Sequence, residues 1–308
     1  MRNNLEIKKL KSVSILGPGL LGGSIGLALR AAGFTGRRIG VGRRRSSLDK
    51  ALACGAVDEV TLDAAAGVSE ADLVILGTPI GMFEPLLREI ADVLQPGTFV
   101  TDVGSTKAQV VRLARRWLPS SVRFVGSHPM AGSEKTGVEF ARADLFEDAL
   151  CLVTPDRATP PADVSSISRF WESLGAQTLT ISPTQHDTLL ARVSHLPHVV
   201  AAALVRIAGR QDAINLAGPG FQDTTRVASG SASMWTDILR TNARPVLKAL
   251  DLAIKDLTKI RHLLECDDAK GIERWLADGK TIRDSWLDRR MKNAMRPRAS
   301  ARKRGRRP

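Results

Sequence analysis

The sequence predicts an α/β chain whose first half builds a parallel sheet covered by helices and whose second half is all helical. Three observations carry this. Short apolar runs alternate with helix-patterned segments through residue 150, as a sheet buried on both faces requires. After Pro183, long alanine- and leucine-rich segments take over, a composition suited to helices packed on one another. The first apolar run also ends in Gly17-Pro18-Gly19-Leu20-Leu21-Gly22, the glycine spacing that wraps a dinucleotide pyrophosphate.

The opening strand is Ser12–Leu16. Gly17 permits the tight turn out of it, Gly19 lets backbone approach the pyrophosphate, and Gly22 lets the next helix pack closely on the sheet. The free N–H groups of that helix, which starts near Leu20 and Leu21, face the phosphates. Gly17, Gly19, Leu20, Leu21 and Gly22 are therefore the expected cofactor-binding positions of a Rossmann-type domain, and an apolar helix continues over Ser24–Arg30. Further strands are expected at Arg38–Val41, Leu73–Gly77, Thr98–Asp102, Arg123–Gly126 and Leu150–Thr154, with helices at Leu48–Cys54, Met82–Val93 and Lys107–Trp117. Proline-rich Pro155–Pro161 and Ser182-Pro183 bracket a helix, Val164–Leu174, and a strand, Gln177–Ile181. The long helical segments that follow are Thr184–Ala208, Trp235–Leu264 and Lys270–Met291. The expected domains are 1–183 for dinucleotide binding, 184–288 for a helical substrate-binding and dimerisation domain, and 289–308 as a disordered basic tail. The apolar surface of the helical segments favours a homodimer.

The net charge of +13 looks like a nucleic-acid signature until it is located. Residues 289–308 hold ten Arg or Lys and no acid, which leaves +3 for the other 288 residues. Such a tail can touch polyanions electrostatically. Specific nucleic-acid binding is not expected, because the rest of the chain interleaves no basic surface with aromatics. No twenty-residue apolar run and no signal-peptide pattern is read, so neither a membrane span nor export is expected. Cys54, Cys151 and Cys266 are odd in number and far apart, which fits reduced thiols in a cytoplasmic protein and no metal site.

The second strand should end on the residue that meets the adenosine ribose, usually an acid where NAD is selected. Gly42 stands there instead, followed by Arg43, Arg44, Arg45 and two serines. Arginines clamp a 2'-phosphate, so NADP is favoured over NAD, with Arg43 and Arg44 as its contacts. The alternative is a solvated basic loop. Thr78 and Pro79 close the third strand at the edge where open α/β sheets bind ligands, and are further cofactor positions. Ser105, after the fourth strand, serves either a ligand, as a bond to a substrate hydroxyl or to the nicotinamide side, or the cap of the helix near Lys107.

His128 follows a strand among small and turn-forming residues, Gly126-Ser127-His128-Pro129-Met130-Ala131-Gly132. An imidazole there can take the proton from an alcohol while hydride leaves its carbon; the alternative is a histidine that only closes a turn. Arg226 lies in a polar stretch after Gly218-Pro219-Gly220, where its guanidinium suits a carboxylate or pairs with Asp223 or Asp237.

With these segments the chain resembles the prephenate and arogenate dehydrogenases of tyrosine biosynthesis. The resemblance rests on the glycine-rich opening, Asp102-Val103-Gly104-Ser105-Thr106-Lys107, His128–Gly132, His186-Asp187, Ser194-His195-Leu196-Pro197-His198, Gly220–Ala228 and Trp235, and runs from about Lys11 to Leu287. It implies oxidative decarboxylation of prephenate to 4-hydroxyphenylpyruvate with hydride transfer to NAD(P), or of arogenate directly to tyrosine. His128 would be the catalytic histidine and Ser105 its hydroxyl-binding partner. Arg226 would hold the substrate's side-chain carboxylate, His198 and His186 would lie on the substrate side, and Trp235 would stand close to the pocket.

One difficulty is geometric. His186 and His198 are twelve residues apart, which leaves them about 120° out of phase on an ideal helix. Both face one cavity only if the helix bends, and Pro197 supplies a cause. His195 reads as a satisfied structural histidine. Two rivals remain. A 3-hydroxyacid dehydrogenase would place a catalytic lysine on the long helix, and Thr184–Val205 contains none. A nucleotide-sensing or nucleic-acid-binding module would use the basic tail.

Overall fold

The structure is a computed structural model that describes residues 6–132 and 135–294. Its main sheet contains β1 (Ser12–Leu16), β2 (Arg37–Val41), β3 (Glu59–Thr61), β4 (Leu73–Leu76), β5 (Phe99–Asp102) and β6 (Arg123–Phe124). All are parallel, in the order β3-β2-β1-β4-β5-β6, the doubly wound arrangement of dinucleotide-binding domains. Every residue of β1, β4 and β5 is buried. Because side chains alternate along a strand, Val13, Ile15, Leu73 and Ile75 feed a core on one face, while Leu16, Val74 and Leu76 feed a core on the other.

The helices of this half are α1 (Leu20–Ala31), α2 (Arg45–Ala53), α3 (Ala64–Val68), α4 (Phe83–Ile90), α5 (Ala108–Trp117) and, later, α6 (Pro161–Ser173). The expected elements are present to within a few residues. Two short ones, β3 and α3, escaped the sequence reading.

The expected strand Arg123–Gly126 divides. β6 stays on the main sheet, and the chain then leaves it at Val125 to form β7 (Gly126–Pro129), which joins β8 (Leu150–Thr154) and β9 (Gln177–Thr180) in a second sheet. β7 and β8 are antiparallel and β8 and β9 parallel. Side chains of β5 replace the lost ladder bonds: Thr101 Oγ1 donates to the Val125 carbonyl at 2.7 Å, and the Ser127 amide donates to Asp102 Oδ1 at 3.1 Å. That break turns His128 out of the main sheet.

The helical part begins with α7 (Pro183–Leu190), opened by a reciprocal cap between Ser182 and Gln185 with Pro183 in the first turn. A π turn over Ala191–His195 leads into α8 (Leu196–Ala208). The run Pro183–Ala208 is long and apolar enough to cross a membrane by length and composition alone, with a mean hydropathy of 1.4, which the sequence reading did not register. Its polar residues His186, Asp187, His195 and His198 are buried, and Asp187 bonds to the start of α5, so one face of this run carries buried polar groups tied to the first domain. Then come α9 (Pro219–Thr225), α10 (Ala232–Thr241), α11 (Ala243–Glu265) and α12 (Ala269–Ala294). The single helix expected over Trp235–Leu264 is interrupted at Asn242, whose side chain is drawn inward to bond the Asp187 carbonyl and His195.

The chain divides into two compact units, 1–249 and 250–308. In the second, Asp268 caps α12 through the Gly271 amide at 2.9 Å, and Trp275 Nε1 donates to Asp256 at 3.3 Å. Ile254, Leu257, Leu264, Leu276 and Ile282 are each more than half exposed. The basic segment expected to be disordered from 289 is helical as far as Ala294; residues 295–308 lie outside the described residues.

Candidate active site

At the phosphate edge, Gly17 has φ +89°, and a Cβ on it would meet Thr78 Cγ2 at 2.8 Å. A Cβ on Gly22 would run into the Gly17 carbonyl, whereas one on Gly19 would meet nothing within 4 Å. The first and third glycines thus serve internal packing, and the second opens a cradle. No side chain caps α1, so the amides of Leu20, Leu21 and Gly22 are available to an anion. Thr78 Oγ1 is buried without a hydrogen-bond partner among the described residues, beside exposed Pro79. These features fit a dinucleotide. Arg43 and Arg44 are exposed after β2, while Arg45 pairs with Asp49 at 2.8 Å.

A charged centre stands at the end of β5. Lys107 and Asp102 are fully buried and form an ion pair. Lys107 Nζ also donates to the Ser127 carbonyl at 2.8 Å, and Asp102 Oδ2 accepts the Gly104 amide at 2.8 Å. Burial pulls the Lys107 pKa down, and Asp102 opposes that shift. Ser127 Oγ donates to the Asp102 carbonyl. β7 is therefore pinned to the end of β5 on both sides of the residue that precedes His128.

His128 is buried, and its Nδ1 lies 2.8 Å from His186 Nε2. His186 Nδ1 lies 2.9 Å from Asp187 Oδ1. Asp187 in turn accepts the amides of Lys107 at 2.7 Å and Ala108 at 2.9 Å, capping α5. Ser105 is half-buried in the turn before that helix and does not cap it. Of the two roles expected for Ser105, the cap is taken by Asp187, a residue that sequence reasoning quoted in a motif without giving it a task.

The phase conflict between His186 and His198 is resolved by the π turn. Such a turn inserts one extra residue; without it eleven residues separate the two, which brings them to within about 20° of alignment. Pro197 has no N–H to offer the Val193 carbonyl in that turn. The bend was expected at Pro197, and the structure places it in the preceding turn as a change of helix type. Both histidines are buried. His198 stacks on Trp235 with centroids 3.6 Å apart at 11°, and His195 meets the same ring edge-on at 6.1 Å. His195 Nδ1 accepts from Asn242 at 3.0 Å, so it is a satisfied histidine that braces the wall. His198 bonds the Val227 backbone, while its Nδ1 is buried with no partner among the described residues. Arg226, exposed, opens the 3-10 turn Arg226–Ser229 next to Val227. His128 thus pairs with His186 and His198 with Trp235; His195 and Asn242 join Trp235 to the Asp187 backbone, and Arg226 is the neighbour of Val227, which His198 touches.

Burial lowers all four imidazoles. For His128 the drop is large, reinforced by the charges of His186, Lys107 and His195. Burial lowers His186 against the pull of Asp187, brings His195 to about 4, and lowers His198 against its bond to Val227. Each folded-state value lies below the unfolded value of about 6.5. As pH falls below that value, the unfolded chain binds protons that the native chain refuses, so stability is lost with acid. The melting temperature is expected to be highest above pH 6.5 and to fall progressively toward pH 4; a flat or rising profile over that window would contradict the buried neutral cluster.

Against known proteins, residues 25–180 match the family model described as prephenate dehydrogenase, nucleotide-binding domain, and residues 182–278 match prephenate dehydrogenase, dimerization domain. The chain is 37% identical over 290 residues to prephenate dehydrogenase of Bacillus subtilis, covering 92% of this chain and 78% of that one. Among solved structures it resembles prephenate dehydrogenase of Aquifex aeolicus in complex with hydroxyphenyl propionate and NAD+, with a TM-score of 0.85, 33% identity, and 89% and 98% of the two chains covered. It also resembles Synechocystis arogenate dehydrogenase, with a TM-score of 0.77, 32% identity, and 89% and 99% covered. With the doubly wound sheet, the glycine cradle and the buried histidine cluster, these matches place the chain in the prephenate dehydrogenase family of oxidoreductases.

Proposed function

We propose that this protein oxidatively decarboxylates prephenate to 4-hydroxyphenylpyruvate in tyrosine biosynthesis, with NADP as the preferred hydride acceptor. The observation that carries the reading is the buried His128, whose Nδ1 is occupied by His186 and whose pKa is held low enough for it to work as a neutral base. The Gly17–Gly22 loop would hold the pyrophosphate of the dinucleotide, whose nicotinamide would supply the acceptor for the C4 hydride. His128 Nε2 takes the C4 hydroxyl proton, with Ser105 orienting that hydroxyl. The bond between ring C1 and its carboxylate then breaks, carbon dioxide leaves, and its electron pair restores the aromatic ring. Aromatisation drives the step, so the chain's task is placement and electrostatics.

Arg226 binds the side-chain carboxylate through paired charge-assisted hydrogen bonds, with His198 and Trp235 forming the wall beside it and His186 supporting His128. Arg226→Ala is expected to raise KM about 10- to 100-fold, the loss of about 1.5–3 kcal/mol, with a smaller change in kcat. An unchanged KM would remove Arg226 from the site.

Arg43 and Arg44 hold the 2'-phosphate in this reading, in the place where NAD-selective folds carry an acid. We assign residues 1–183 to dinucleotide binding and 184–288 to substrate binding and dimerisation. A homodimer covers the exposed apolar positions of α11 and α12. The three free thiols suit the cytoplasm.

Arogenate is the second substrate, favoured by the likeness to the Synechocystis arogenate dehydrogenase. The test offers prephenate and arogenate in turn, each with NAD and NADP, and follows reduced-nicotinamide absorbance. Highest kcat/KM is expected for prephenate with NADP; no reduction in any pairing would overturn the dehydrogenase reading.

A further inference from the structure

We infer that Asp187 is a positioning residue: acting through His186, it fixes the tautomer of His128 so that the ring nitrogen left for substrate, Nε2, carries a lone pair and no proton. The inference rests on the reading of His128 as the base, and its argument is a chain of donors and acceptors.

Both carboxylate oxygens of Asp187 accept backbone N–H groups at the start of α5, Oδ1 from Lys107 at 2.7 Å and Oδ2 from Ala108 at 2.9 Å. The positive end of that helix favours an anion. Toward His186 Nδ1, 2.9 Å away, Asp187 is therefore the acceptor and Nδ1 carries the hydrogen. A neutral imidazole has one N–H, so His186 Nε2 is bare. It accepts across 2.8 Å, which places the hydrogen of His128 on Nδ1. His128 Nε2 then has no proton of its own and is free to take one.

The order of the relay is set at one end only, because Asp187 is the member that cannot act as a donor. The other charged or titratable groups around His128 leave this order unchanged. Lys107 is bound to Asp102 and the Ser127 carbonyl. Burial pushes the Cys151 thiol up, so it stays neutral. His195 takes its bond from Asn242.

The same geometry says what an amide would do. In Asp187→Asn with the NH2 at the Oδ1 position, that NH2 faces His186 and the Lys107 amide loses its acceptor, while the carbonyl oxygen keeps the Ala108 amide. His186 then accepts at Nδ1 and donates from Nε2, and His128 is left with its hydrogen on Nε2, where the substrate hydroxyl must deliver another. In a serine-hydrolase triad the equivalent carboxylate-to-amide change costs about 10⁴ in kcat by installing the wrong tautomer.

The experiment reads the tautomer in the resting full-length protein by long-range 1H–15N spectra of 15N-histidine-labelled samples, with His128→Asn assigning the signal. Kinetics of wild type and Asp187→Asn follow in parallel. Expected are an Nδ1–H His128 in wild type, an Nε2–H His128 in Asp187→Asn, a kcat lower by at least about 100-fold, and KM and cofactor binding within about threefold of wild type, since neither ligand touches Asp187 in this reading. His186→Leu leaves the α5 amides on Asp187 and takes the acceptor away from His128 Nδ1; it releases the same tautomer and keeps the test decisive if Asp187→Asn does not fold. An Nε2–H His128 in wild type overturns the inference, as does an Asp187→Asn protein that keeps Nδ1–H or near-normal kcat. The tautomer is read without substrate, so an absence of turnover in wild type would sink the dehydrogenase reading and leave this result standing by itself.

Discussion

His128→Asn is expected to lose about 10² to 10⁴ in kcat, the range for removing a general base, while KM changes little. The substitution is chosen for what it keeps. The Asn amide reaches the position of imidazole Nδ1, so the contact with His186 Nε2 has a replacement and β7 need not move. What disappears is the ring edge bearing Nε2. Wild-type kcat/KM should stay level as pH falls through 6.5, because burial and the neighbouring charges hold His128 neutral well below the ordinary histidine range. In the variant, water and hydroxide must take the hydroxyl proton, so the deficit should shrink as pH rises. A variant with full turnover at every pH would show that His128 is structural and that another group takes the proton.

How much of this was legible before the fold was known follows from the physics of each element. The parallel sheet was readable because strands buried on both faces are continuous apolar runs, and β1, β4 and β5 are such runs. β3 and α3 are three and five residues long, too short for any periodicity to show. The division of β6 from β7 was hidden because Val125 is apolar and carries the pattern straight through; the cause lies in Asp102 and Thr101, which bond to the departing chain from a different strand. The mismatch between His186 and His198 was visible as a phase error, and Pro197 pointed to its neighbourhood, but the remedy required knowing which residue the helix could spare to a π turn. The interruption at Asn242 was missed for a similar reason: its polar side chain gains partners in α7 and the π turn, which no local pattern reports. The candidate site was legible at His128, since a histidine among turn-forming residues after a strand is unusual. Its support was not, because Asp187 and Lys107 look like ordinary surface charges until burial is known.

Lys107→Met is expected to destabilise the protein by about 3–5 kcal/mol, the cost of leaving one member of a buried ion pair without its partner. For a chain of this size that is a fall of roughly 10 °C in melting temperature. Methionine fits the volume of the lysine stem, so the effect isolates the charge. Asp102 would keep the Gly104 and Ser127 amides and lose its cation in a place water does not reach. The Ser127 carbonyl would also lose its donor, one residue before His128, and kcat should therefore fall together with stability. A second substitution separates this account from a simple packing defect. Lys107→Met/Asp102→Asn removes the orphaned charge, so the double variant should regain part of the lost melting temperature, the opposite of what a cavity would give. A small loss in Lys107→Met, or no recovery in the double variant, would mean that the pair is replaceable and that β7 is held without it.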